Sequence, residues 1–219
     1  MIRNGLRVAR EEAKEARDDG DTDEAIAVLQ SAASMVDRSE YLSQVRQSDN
    51  LSDADKEVFF LLADIYGMLG NHYRRCGNLD GARAAFARGA EIELNPWYGV
   101  DSSYSMMGGL VMDVISGDWK TEDKIRAMND VVDEIARQTR GSRRLDVWAW
   151  ADRAQGEVLL GRVDDAYASY DRYRQLASED EVASSRSVLE TLHDMVAEQG
   201  EEETAGHLAD AIGWLGTTS

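Results

Sequence analysis

The stretch from Leu62 to Pro96, LADIYGMLGNHYRRCGNLDGARAAFARGAEIELNP, decides the fold. Tyr66, Leu69, Gly70 and Tyr73 fall at helical spacing, and Gly77-Asn78-Leu79-Asp80 then interrupts the helix. Gly77 can take positive φ and end the first helix, while Asn78 and Asp80 are turn and helix-start residues. Ala82 is small where two helices would cross, and Phe86 fills the space beside it. Gly70 has no side chain, so the facing helix can approach closely. The stretch therefore predicts an antiparallel helical hairpin.

This order of residues resembles the tetratricopeptide (TPR) repeat, a helix-turn-helix unit of about 34 residues. Gly89 stands where that pattern usually has Ala, and Pro96 closes the unit slightly late. Outward from it, Gly20-Asp21-Thr22-Asp23-Glu24-Ala25 repeats the turn chemistry of Gly77 to Ala82, with Leu6, Ala9, Ala13 and Ala16 before it and Leu29 and Ala32 after. Gly161 to Ala166 does so again, with Trp150, Ala154 and Tyr170 in the packing positions. Gly117-Asp118 makes a turn in a more divergent pair, whose first helix carries Met106, Met107, Leu110, Val111, Val114 and Ile115. Its second helix turns Ile125, Met128, Val131, Val132 and Ile135 inward. Gly108-Gly109 marks a weak point or a close helix contact. The expected fold is all-α: a single domain over 1–219, a right-handed superhelix of irregular TPR-like hairpins with C-terminal closing helices. The hairpins cover about 4–38, 53–95, 102–138 and 146–177, and the closing helices about 184–216. Residues 39–50 are polar and read as a loop. Ser52, with Asp53 and Asp55, reads as the cap of the helix that follows.

Composition narrows the function. A net charge of −18 argues against general nucleic-acid binding, which needs a basic surface. One proline favours helix throughout, and no apolar run is long enough to span a membrane. A charged N-terminus without an apolar signal segment and a lone Cys76 fit a cytoplasmic protein. Three dispersed histidines and one cysteine give no metal-ligand spacing, and no phosphate loop or nucleophile–base pair stands out. The expectation is a protein that is not an enzyme and has no cofactor.

A more specific likeness lies in Trp97-Tyr98-Gly99-Val100-Asp101-Ser102-Ser103, in Asp146-Val147-Trp148-Ala149-Trp150-Ala151, and in the turn from Gly161 to Ala166. These resemble the TPR-like TRAF-binding domain of apoptosis-signal-regulating kinases and its bacterial relatives, over roughly residues 60–195. That family shows Tyr-x-Gly-Ile-Asn-Ala-Ala, and Val100, Asp101 and Ser102-Ser103 replace its Ile, Asn and Ala-Ala here. The resemblance implies an all-helical sensor or scaffold module, tied in bacteria to signalling or defence effectors, without catalysis. It makes Tyr98 and Asp101 candidate contact residues.

The residues themselves mark another candidate surface. Arg3, Arg7, Arg10, Lys14 and Arg17 share one face of the first helix. Counted from the turns, Arg10 and Lys14 correspond to Asn71 and Arg74 in the next hairpin, with Arg75 adjacent. Such a stripe in an acidic protein suits a carboxylate- or phosphate-bearing partner. The alternative is that these cations pair with Glu11, Glu15 and Asp18 on a solvated face. Trp148 is expected further along the same concave groove as an aromatic anchor. His72 borders it and reads more simply as structural. Two functions remain open: a scaffold or adaptor holding a partner protein or acidic peptide, and a sensor of an anionic, nucleotide-derived small molecule that controls an effector. Neither involves nucleic acid or membrane.

Overall fold

The computed structural model describes residues 1–48 and 50–216. Among them the chain forms eleven α-helices: α1 (Ile2–Asp18), α2 (Thr22–Asp37), α3 (Tyr41–Arg46), α4 (Asp53–Arg75), α5 (Leu79–Glu93), α6 (Tyr104–Ile115), α7 (Glu122–Arg140), α8 (Val147–Leu159), α9 (Val163–Leu176), α10 (Glu179–Glu198) and α11 (Glu202–Gly216). Residues Met1–Gly109 and Leu110–Ser219 make two compact units.

One backbone device ends five of the helices. Gly20, Gly77, Gly117, Gly161 and Gly200 all have positive φ. At each, the glycine N–H and the next residue's N–H bond back to carbonyls in the last turn, as in Asn78 N to Tyr73 O at 2.9 Å. That is a Schellman closure, which glycine adopts without a Cβ penalty. The next helix then starts on a side-chain cap: Asp21 accepts from the Glu24 N–H and Asn78 from the Gly81 N–H. Five residues after Gly20, Gly77, Gly161 and Gly200 stand Ala25, Ala82, Ala166 and Ala205, all buried. The pairs α1/α2, α4/α5, α8/α9 and α10/α11 pack as sequential hairpins.

In the first unit α4 packs on α1, α2 and α5. A Cβ on Gly70 would lie 2.7 Å from the Phe86 ring, and one on Gly108 would lie closer still. Phe86 is thus clamped between two glycines, and Gly108 is the close contact, whereas Gly109 faces open space. Gly89, the departure from the repeat pattern, makes room for Ser105, whose Cβ would sit 2.6 Å from an added methyl. In the second unit α11 packs on α8 and α9 as well as α10. Trp119 is buried there, its Nε1 donating to Gln199 Oε1 at 3.2 Å.

Three sequence expectations need correction. The polar stretch 39–50 holds α3, anchored by buried Val45 and by Tyr41, whose hydroxyl donates to Asp55 at 2.7 Å; Asp49 lies outside the described residues. The first closing helix starts at Glu179, because Ser178 and Glu181 form a capping box. Ile125, expected inward, is 37% exposed, while Met128, Val131, Val132 and Ile135 are buried.

Candidate functional site

The cation stripe of α1 runs along α4, and what it meets there changes from one end to the other. At the N-terminal end Arg3 and Arg7 both reach Glu57, with Arg3 Nη1 at 3.1 Å. The Arg7 guanidinium holds the Glu57 carboxyl below its ordinary range. Arg10 Nε lies 2.5 Å from Asp64 Oδ2, but its N–H is not aimed at that oxygen, so neither atom completes a hydrogen bond. Burial raises the Asp64 pKa, and Arg10 and Lys14 only partly oppose this. Lys14 Nζ pairs with Glu11 at 3.0 Å, lowering the Glu11 pKa, and Arg17 pairs with Asp18 at 2.7 Å. The alternative of helix-neighbour pairing therefore applies to Lys14 and Arg17. Arg3, Arg7 and Arg10 instead form a seam with acids of α4 that the sequence reading did not single out.

Toward its C-terminal end α4 offers no further acid and carries His72, Arg74 and Arg75 in its last turn. His72 is buried at 4% exposure. Burial, Arg75 and Arg17 together lower its pKa, so it resists becoming a cation. Arg74 is partly buried, and its Nη2 donates to Asn71 Oδ1 at 3.3 Å. Asn71 in turn donates through Nδ2 to the Tyr104 hydroxyl at 2.7 Å. Neither Arg74 nor Arg75 pairs with a carboxylate among the described residues. Burial, with the repulsion of Arg75, lowers the Arg74 pKa. Gly67 makes this arrangement possible: a Cβ there would lie 2.5 Å from the Tyr104 ring.

The structure thus brings Arg10 and Lys14 together around Asp64, Arg17 and Arg75 around His72, and Asn71 and Arg74 beside Tyr104. Tyr98 is committed to packing: its ring stacks on buried Phe59 at 4.0 Å and meets Trp97 edge-on. Gly99 turns the chain there with φ of 62°. Asp101 is exposed in the same loop. Trp148 belongs to the second unit, where it is 45% exposed in the first turn of α8. Its backbone N–H donates to Asp146, the cap of that helix.

A residue the sequence reading missed explains the 97–103 loop. Glu93 is 4% exposed, and its carboxylate accepts the N–H groups of Ser105 at 3.0 Å and Met106 at 2.8 Å and the Ser102 hydroxyl at 2.7 Å. An anion at the start of α6 satisfies orphan amide donors and the helix dipole together. In the second unit buried Glu157 is held by Arg153 at 2.8 Å and Ser169 at 2.6 Å. Both carboxylates are fully engaged in structural bonds.

Among the described residues no group of three or more His, Cys, Asp or Glu is placed to hold a metal, and no helix is long and apolar enough to cross a membrane. The chain matches no family model, no curated protein and no solved structure.

Proposed function

We propose that this protein is a non-catalytic scaffold of divergent TPR-like repeats that holds an acidic segment of a partner protein against the α1–α4 face, in signalling or defence. Arg74 carries the reading. A partly buried guanidinium, oriented by Asn71 and left without a carboxylate in a chain of net charge −18, is unusual on electrostatic grounds. An incoming carboxylate would supply the missing charge and accept charge-assisted hydrogen bonds. Arg75 and Arg17 add to the positive potential there, while Arg3, Arg7 and Arg10 act as the seam that fixes α1 on α4. The binding work is therefore assigned to Asn71, Arg74 and Arg75 rather than to the stripe, whose Arg17 is already paired with Asp18.

A second reading shares the same donors. The compact Asn71–Arg74–Tyr104 cluster also suits the phosphate of a nucleotide-derived ligand, in a sensor that controls an effector. Selection of a random peptide display library separates the two. Wild-type protein should enrich acidic peptides, and Arg74→Glu with Arg75→Glu should lose them while keeping its helical circular dichroism. Enrichment without acidic bias, or unaffected by the variant, overturns the scaffold reading. Release of a 260 nm-absorbing molecule from the denatured wild type, but not from the variant, favours the sensor.

A further inference from the structure

The α1/α2 hairpin has a second surface, independent of the cation face. α4 packs on both helices from one direction. Elsewhere on the pair an open groove of about 790 Å³ runs between α1 and α2. Helical spacing puts its α1 residues, Asn4, Val8 and Glu12, on the other side of α1 from the cation stripe. Gly5 lets the Met35 side chain lie close against α1 in this groove: a Cβ there would lie 3.1 Å from the Met35 methyl. Val8 and Met35 leave their side chains 54% and 39% exposed along it.

The other end of the groove is acidic. Glu12 and Glu24 line it, both exposed, and neither pairs with a cation among the described residues. The stripe cations are spent on Glu57, Asp64, Glu11 and Asp18. Exposed apolar side chains and uncompensated carboxylates in one groove ask for an occupant with both an apolar stripe and positive charge. A second copy of this chain does not meet that need. Two-fold pairing about the Glu12/Glu24 end would bring acid to acid, and pairing about Val8 and Met35 would leave the acidic ends of both copies without a counter-charge. We infer that the α1/α2 groove docks a cationic amphipathic helix of a partner protein, its apolar stripe on Val8 and Met35 and its Lys or Arg on Glu12 and Glu24. This is the helix-in-groove mode of recognition. It would let the scaffold hold two chemically opposite segments on different surfaces.

The test uses a fluorescent Leu/Lys amphipathic helical peptide and its Leu/Glu counterpart, read by anisotropy against the full chain. The Leu/Lys peptide should bind. Val8→Asp, and separately Glu12→Lys with Glu24→Lys, should each weaken it by at least about tenfold. Asp130→Lys with Glu203→Lys, an equal charge change on exposed residues elsewhere, should leave it unchanged. All the altered side chains are exposed, and the two groove variants fail or succeed separately. Equal loss in the charge-matched control reduces the effect to net charge and overturns the inference. So does equal binding of the Leu/Glu peptide, or full binding by either groove variant. Sedimentation provides the last arm: a wild-type dimer that Val8→Asp dissociates would give the groove to a second copy and refute the proposal.

Discussion

Substituting Gly70 by Ala tests the packing that sets the register of the first unit. The added methyl would stand 2.7–2.8 Å from three carbons of the Phe86 ring. Phe86 is 1% exposed and has Gly108 on another side, so the ring cannot simply swing away. Overpacking of this kind costs about 1–3 kcal/mol. Against it, Gly→Ala in a helix interior gains about 1 kcal/mol of propensity. Net destabilisation of about 0–2 kcal/mol follows, which alone is a weak test. Gly109→Ala sharpens it: that position is helical and has nothing within 4 Å of the new Cβ, so the propensity gain stands unopposed. The two variants should therefore differ by about 1–3 kcal/mol. Urea denaturation measures both, with unchanged slopes showing that only stability has moved. Phe86→Leu should relieve the clash, so the Gly70→Ala/Phe86→Leu double variant should be less unstable than the sum, by about 0.5–3 kcal/mol of coupling. If Gly70→Ala is as stabilising as Gly109→Ala, or adds independently to Phe86→Leu, the clamp is wrong.

Two further predictions concern single side chains. Glu93→Ala should lower stability by about 1–3 kcal/mol, because the buried amides of Ser105 and Met106 lose their acceptor; a thermal melt unchanged by the substitution would refute the cap. His72 should make stability fall as pH drops through the ordinary histidine range near about 6.5. Its pKa is depressed in the folded chain, so the unfolded chain binds more protons there, and acid favours unfolding. The histidine contribution is complete above that range and is lost on acidification; His72→Gln should remove that part of the slope in pH-dependent denaturation.

The turns were legible because they are local. Gly20, Gly77, Gly117 and Gly161 each sit before turn or cap residues, and the backbone closes at each as the chemistry requires. Gly200 uses the same closure, followed by Ala205 in the packing position, and was overlooked among the terminal acids. The roles of Gly89 and Gly108 were not legible, since Ser105 and Phe86 come from other helices and the spacing within one helix does not reveal a partner. The candidate site divided in the same way. Spacing alone placed Arg3, Arg7, Arg10, Lys14 and Arg17 on one face, and it also suggested that Lys14 and Arg17 could pair locally. Glu57 and Asp64 are seven residues apart on α4 and so share a face, a signal that could have been found. What neutralises Arg10, and what leaves Arg74 without a carboxylate, depends on how α1 lies against α4. Tyr98 shows the opposite case: a residue singled out by motif resemblance has its ring stacked on Phe59.

The claim that Arg74 and Arg75 await an external anion is tested most directly by arginine side-chain Nε–Hε NMR, titrating the folded protein with a Glu-rich peptide. Arg126 and Arg186 are internal references, because each is exposed and already paired with carboxylates of its own helix. Saturable shifts at Arg74 and Arg75, with His72 gaining a higher pKa as the bound carboxylates offset Arg17 and Arg75, are the predicted result. Shifts no larger than those of Arg126 and Arg186, with the His72 titration unmoved, would contradict it.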